Sequence, residues 1–243
     1  MISVCMATYN GEKYIKEQLS SILSQLSEKD EIIVSDDSST DKTVEIIESF
    51  QDKRIKILKN NKFRQPNLNF ENALKYSKGD IIFLSDQDDV WIENKVEIIL
   101  NQLKKYDLIV SDAFITNEKL NITNESLFSE VNSNRGILKN IIKNTYYGCC
   151  MAFKRKVLKK ALPFPKTREI GHDLWLGIIA DRYFKVKFLK EKLIYFRRHE
   201  NTLTTIKKSK RRLIVKLLGR VKVLYYFLKK WNWIIVAFSK ILK

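Results

Sequence analysis

Residues 79–91 read GDIIFLSDQDDVW, and the order of residue types within this stretch decides the fold. Ile81, Ile82, Phe83 and Leu84 are apolar at every position, the pattern of a strand covered on both faces. Asp86, Gln87, Asp88 and Asp89 follow almost at once, and Val90-Trp91 returns to apolar residues. Strands of this kind belong to parallel sheets flanked by helices, whose ligands bind beyond the carboxyl ends of the strands.

The same alternation extends in both directions. Residues 2–6 form an apolar run, and residues 14–26 place Tyr14, Ile15, Leu19, Ile22, Leu23 and Leu26 at helical spacing. Residues 31–35 read as a second strand, after which Ser39 or Thr40 is expected to cap a helix carrying Val44, Ile46, Ile47 and Phe50. A strand at 54–58 and a helix at 67–76, closed by Lys78-Gly79, lead back to the opening stretch. Beyond it, a helix over 96–103 and a strand over 107–111 are expected. The fold class is therefore α/β, a Rossmann-like sandwich with a mainly parallel central sheet. Tyr9-Asn10, Asp36-Asp37, residues 86–89 and Asp112 all follow expected strands, so carboxyl groups converge on one edge. They repel one another unless a cation or a set of hydrogen-bond donors sits among them.

Residues 113–205 are less regular. Residues 117–134 are polar and read as a loop; 136–143, 157–162 and 173–180 read as helical, and 151–153 as a strand. Residues 186–189 and 193–196 read as two separate late strands. With 44% hydrophobic residues the chain can bury a core, and three Cys, two of them adjacent, give no disulfide framework and fit a reducing compartment. Two His leave a structural zinc site almost without ligands. The opening residues carry no signal-peptide pattern, so a cytoplasmic location is expected.

The net charge of +17 is uneven. Residues 201–243 hold twelve Lys/Arg and no acidic residue, leaving 33 basic against 28 acidic residues, +5, for the rest. Residues 1–205 are thus expected as one domain and 206–243 as a basic amphipathic helical tail, suited to an anionic membrane surface at the inner face of the cell membrane. Residues 231–238 are strongly apolar but far short of the about 20 residues that span a bilayer. No RNP, KH or helix-turn-helix pattern supports a nucleic-acid partner.

Two carboxylates on a turn after a buried strand suit Mg²⁺ or Mn²⁺, which prefer oxygen ligands shared with phosphate. No GxGxxG or GxxxxGK[ST] loop is present to cradle phosphate without a metal. Three strings stand in order: SVCMATYNGEKYIKEQLSSILSQ at 3–25, IIVSDDSSTDKT at 32–43, and the GDIIFLSDQDDVW stretch. Together they resemble family 2 glycosyltransferases of the GT-A fold, and SDQDDVW is similar to bacterial members called rhamnosyltransferases. The resemblance spans about residues 1–200. It implies an inverting, metal-dependent enzyme that moves one sugar from dTDP-rhamnose or a UDP-hexose to a saccharide acceptor, often lipid-linked.

The resemblance also implies residue roles. Ala7 and Tyr9 would lie by the nucleotide, and Asp37 by its base or ribose. Asp86, Asp88 and Asp89 would share ribose, metal and donor-sugar contacts, with Asp88 the first metal ligand and Asp86 the second. Asp173 would be the catalytic base, with His172 standing where Glu is more usual. Gly148, His172 and Trp175 would face the acceptor, and Arg198 and His199 the donor diphosphate. Read without the resemblance, Cys149 and Cys150 are core and Arg197 and Arg198 are surface charges. The competing readings are a nucleotidyltransferase, which would need a basic Gly-rich loop near the N-terminus, and a membrane- or nucleic-acid-binding module centred on the tail.

Overall fold

The computed structural model describes residues 1–200 and 213–230; residues 201–212 and 231–243, including Trp231 and Trp233 of the expected tail, lie outside the described residues. Strands and helices alternate first as β1 (Ile2–Thr8), α1 (Ile15–Leu23), β2 (Glu31–Asp36), α2 (Thr43–Ser49), β3 (Ile55–Leu58), α3 (Pro66–Tyr76) and β4 (Ile81–Ser85). The short β5 (Val90–Trp91), α4 (Lys95–Leu103), β6 (Leu108–Thr116), β7 (Ile122–Asn124), α5 (Leu127–Val131) and α6 (Ile137–Ile142) come next. A 3-10 turn at Gly148–Cys150 leads into β8 (Met151–Lys154), α7 (Arg155–Ala161), α8 (His172–Tyr183), β9 (Val186–Arg197) and α9 (Leu213–Lys230).

The strands form one sheet in the order β3-β2-β1-β4-β8-β6-β9-β5, with β7 beside β6. The first four strands are parallel, β8 runs against both β4 and β6, and β9 runs with β6. Six strands therefore share one direction, and β1, β2, β4, β6 and β9 end on a common edge. Alternate side chains serve the two faces. Val4, Met6, Ile32, Val34 and Phe83 pack with Ile15, Leu19, Ile47 and Ile99 of α1, α2 and α4. Cys5, Ile33, Ile82 and Leu84 face the other way, onto Phe70, Ala73, Val157 and Leu176 of α3, α7 and α8. The sheet is the middle of three layers, as the apolar runs in β1, β2 and β4 require.

Gly79 lets the α3–β4 connection lie flat against β1. A Cβ there would stand 2.5 Å from the Ser3 nitrogen and 2.7 Å from the Ile2 carbonyl carbon, both backbone atoms of a central strand. Gly79→Ala is expected to lower stability by about 2 kcal/mol, read as an earlier urea midpoint with an unchanged slope.

Several expectations are corrected. Neither Ser39 nor Thr40 caps α2: Lys42 occupies that position with no side-chain cap, while Ser39 bonds Asp36 and accepts the Asn10 N–H. The polar 117–134 segment contains β7 and α5, the latter capped by Ser126, whose Oγ accepts the Ser129 N–H. The two late strands are one, because Lys190, Glu191 and Lys192 stay in the strand while the β6–β9 register shifts around Asp112. Asp112 itself lies inside β6, not at its end, and its carboxylate binds Ser126 and the Phe128 N–H. It takes no part in the acidic edge.

Candidate active site

Thr8 ends β1 by donating to Asp36 Oδ2 at 2.8 Å, and its carbonyl accepts the Asp37 N–H. The next residue, Tyr9, is exposed, and Gln87 grips its backbone from both sides: Oε1 accepts the Tyr9 N–H at 2.9 Å, and Nε2 donates to its carbonyl at 3.0 Å. Gly11 leaves room for this clasp, since a Cβ there would fall 2.5 Å from Gln87 Oε1. The ends of β1 and β4 are thus tied into one rim. Asp37 Oδ1 accepts the Phe63 N–H at 2.6 Å, which folds the loop after β3 against the same rim. Ala7 lies in β1 just below it, half-buried.

The four residues after β4 differ sharply in surroundings. Asp86 and Asp88 are half-buried, while Asp89 is 1% exposed. Asp89 Oδ1 accepts the Arg197 N–H at 3.0 Å, and its Oδ2 is buried with no hydrogen-bond partner among the described residues. Burial, then the charges of Asp88 and Asp173, push Asp86 up to about 7; burial and the Asp88 and Asp86 charges hold Asp89 well above the usual carboxylate range. Asp88 Oδ2 lies 2.9 Å from His199 Nε2. One carboxylate oxygen each from Asp86 and Asp89, with Cys149 Sγ, lie within 4.8 Å of one another.

Arg197 is not a surface charge. It is 4% exposed: its Nε donates to the Asp88 carbonyl at 2.8 Å, Nη1 to the Glu118 carbonyl, and Nη2 to Glu17, with the guanidinium over the Tyr14 ring. Backbone and side chain of this one residue therefore fix the Asp88-Asp89 turn. Lys95, at 1% exposure, is a second buried cation; its Nζ donates to the Cys149 carbonyl at 3.2 Å and stands 4.2 Å from the Trp91 ring centroid. Burial pulls its ammonium down to about 8, against the neighbouring negative groups that raise it, including Asp89 and Asp86. Cys149 is core, as expected, and also lies against the carboxylates.

Across the edge, α8 begins at His172, so Asp173 falls in its first turn. Asp173 Oδ1 accepts the Leu174 N–H at 2.7 Å and Oδ2 accepts from Asn144 Nδ2 at 3.0 Å. Gly171 makes room, since a Cβ there would lie 2.3 Å from Asp173 Oδ1. His172 stacks on Phe70 with ring centroids 3.9 Å apart, and burial lowers its pKa. Its Nε2 would meet a Cβ on Gly148 at 2.5 Å, so that glycine is required by the imidazole beside it.

Most of the expected residues therefore gather on one edge: Tyr9, Asp37, Asp86, Asp88, Asp89 and His199 on one side, Asp173, His172 and Gly148 on the other. Trp175 does not join them. It is 2% exposed and donates its indole N–H to the Ala161 carbonyl at 2.9 Å, a core contact with α7, because it faces the sheet rather than the edge. Arg198 is held from β6, donating its N–H to the Thr116 carbonyl at 2.9 Å, with its guanidinium over Phe196. Arg197, Lys95 and Asn144 were missed, since charged and polar residues read from sequence as surface.

A mixed α/β sandwich with a strand-end aspartate cluster facing a helix-borne carboxylate defines a class, and comparison with known proteins agrees with it. Residues 3–162 match the model of glycosyl transferase family 2. The chain belongs to that family and is a glycosyltransferase. It is 30% identical over 182 residues to the Escherichia coli protein WfgD, a UDP-Glc:alpha-D-GlcNAc-diphosphoundecaprenol beta-1,3-glucosyltransferase, covering 74% of this chain and 70% of that one. It is 44% identical over 99 residues to the Shigella flexneri dTDP-rhamnosyl transferase RfbG, covering 38% and 34% of the two chains. Among solved structures, S. aureus TarS 1-349 in complex with UDP-GlcNAc superposes with a TM-score of 0.68 at 21% identity, covering 86% of this chain and 61% of that chain. That likeness shows the GT-A fold.

Proposed function

We propose that this chain moves a single sugar from a nucleotide-diphosphate sugar, dTDP-rhamnose or a UDP-hexose, to a hydroxyl of a lipid-linked saccharide in cell-surface polysaccharide synthesis, with inversion. The observation that carries the reading is the facing pair of sites on one sheet edge: Asp86 and Asp88 after β4, and Asp173, fixed by Asn144 and Leu174, at the start of α8. The donor classes follow those in the names of WfgD and RfbG, and the lipid-linked acceptor that in the name of WfgD.

The residues fit a hard divalent cation. Three carboxylates crowd a half-buried turn, two are pushed towards the protonated form, and one buried oxygen of Asp89 lacks a partner among the described residues. Asp88 and Asp86, the two less buried, would hold Mg²⁺ or Mn²⁺, with His199 beside Asp88; the buried thiol of Cys149, kept protonated by its Cys150 bond and by burial, suits a hard cation poorly. Bound there, the ion would offset the charge that builds on the departing nucleoside diphosphate. Asp173 takes the proton of the acceptor hydroxyl while that oxygen forms its bond to the anomeric carbon and the bond to the diphosphate breaks. One displacement inverts the anomeric centre.

The pH dependence of metal binding follows from Asp86. Its folded value of about 7 lies above its unfolded value of about 4, so without metal the folded state binds the extra proton and this group's contribution to stability falls as pH rises through that window. A cation binds the ionised form. The melting-temperature gain from Mn²⁺ is therefore expected to be small at about pH 5.5 and to grow to a plateau near pH 8. A gain that is flat across that range would contradict the assignment. The direct test of function is release of nucleoside diphosphate from UDP-glucose or dTDP-rhamnose, with Mn²⁺, in the presence of a GlcNAc-diphosphate lipid analogue. Acceptor-dependent release is expected, and its absence with every donor and metal would refute the reading. The 1–205 unit, on whose core α9 packs through Val223 and Phe227, would be brought to an anionic membrane by 206–243.

A further inference from the structure

Ten large apolar side chains are exposed among the described residues, and six of them lie on two helices, α6 and α9. Leu138 and Ile142, one turn apart on α6, are 73% and 63% exposed. Leu218, Val221 and Tyr225 on α9, at helical spacing, are 58%, 64% and 57% exposed, with Leu224 beside them at 41%. The opposite side of α9 is anchored: Val223 and Phe227 enter the main core. The two helices touch, with Arg220 Nε donating to the Ile142 carbonyl at 2.9 Å. They carry six Lys/Arg and no acidic residue.

This surface is also coupled to the site. α6 runs directly into Asn144, whose amide holds the Asp173 carboxylate, and Lys222 of α9 pairs with Glu169 on the segment that precedes Asp173.

We infer that the α6–α9 face docks on an anionic bilayer, its aliphatic side chains in the interface and its lysines at the headgroups, with the acceptor side of the site held against the membrane. This deepens the proposed function and rests on its lipid-linked acceptor. The occupant is a lipid surface rather than a second copy of the chain, because two helices with six Lys/Arg and no acidic residue repel their own copy and attract anionic headgroups. No helix among the described residues is long and apolar enough to cross a membrane, so the contact is interfacial.

The test uses the full chain with the double substitution Leu138→Glu and Ile142→Glu on α6, which leaves the C-terminal segment intact. Removing residues from 206 onward is a poorer test, since it uncovers the core around Val223 and Phe227. Wild type is expected to co-sediment with phosphatidylglycerol vesicles and not with phosphatidylcholine vesicles, and the variant to bind about tenfold more weakly or less. A second reading labels Leu138→Cys with an environment-sensitive dye; the three native cysteines are buried, so the probe reports α6 alone. Its emission should shift to the blue on phosphatidylglycerol vesicles. Unchanged vesicle binding by the double variant, or a probe that stays in water, would overturn the inference. So would a wild-type dimer that the double variant converts to a monomer, which would make this face a contact between copies. Nucleotide binding, measured in parallel by thermal shift, separates the two proposals: lost vesicle binding with no nucleotide binding in either protein leaves the surface standing and removes the proposed donor assignment.

Discussion

Asp173→Asn is expected to lower sugar transfer by about 10³-fold while donor and metal binding survive, since a positioned base contributes about 10²–10⁴-fold. The substitution keeps shape and removes the proton acceptor. The native carboxylate accepts two N–H bonds on different oxygens, from Leu174 and from Asn144, and an amide keeps one of them, a loss of about 1 kcal/mol. The cost in stability is therefore small beside the cost in rate. A second consequence concerns the metal. The Asp173 charge helps push Asp86 up to about 7, and a divalent cation feels that charge more than a proton does, so removing it should leave Mn²⁺ binding in place but somewhat weaker. Steady-state rates and Mn²⁺ titrations on the same preparation decide the matter. Loss of donor binding together with activity would instead assign Asp173 a structural role.

Asp88→Ala is expected to abolish metal-dependent donor binding and to cost at least about 10²-fold in kcat/KM. The half-buried Asp88 carboxylate faces His199, and its removal takes away one charge of the cluster without touching Arg197, whose guanidinium bonds the Asp88 carbonyl rather than its side chain. The turn should keep its shape. Asp89 is the contrasting position: its carboxylate accepts the Arg197 N–H in the interior, so Asp89→Ala should lower the melting temperature first and activity only as a result. If Asp88→Ala retained Mn²⁺-dependent donor hydrolysis, the metal assignment would be wrong.

The layer architecture was legible because strands buried on both faces spell out apolar runs: Ile82, Phe83 and Leu84 divide between the two cores. The strand order was not, since β8 enters between β4 and β6 through pairings such as Ile82 with Phe153 that leave no local mark. The fused β9 was hidden by three charged residues that remain in the strand on its exposed side. In the site, Asp86 and Asp88 were readable from their place after a buried strand, and Asp173 only through the family resemblance. Arg197, Lys95 and Asn144 were not, because their roles come from burial, which a charged or amide side chain does not announce. Trp175 was misplaced for the opposite reason: adjacency to Asp173 along the chain is not adjacency in space when a helix turns the next residues inward.

The central claim is that the edge after β4 holds a nucleoside diphosphate only with a divalent cation present. Calorimetric titration of UDP and dTDP into the intact chain, with and without Mn²⁺ at about pH 8, tests this most directly. Saturable binding of one of them with Mn²⁺, lost on chelation, is the predicted result. Equal affinity with and without the metal, or no binding of either nucleotide to folded protein, would contradict it.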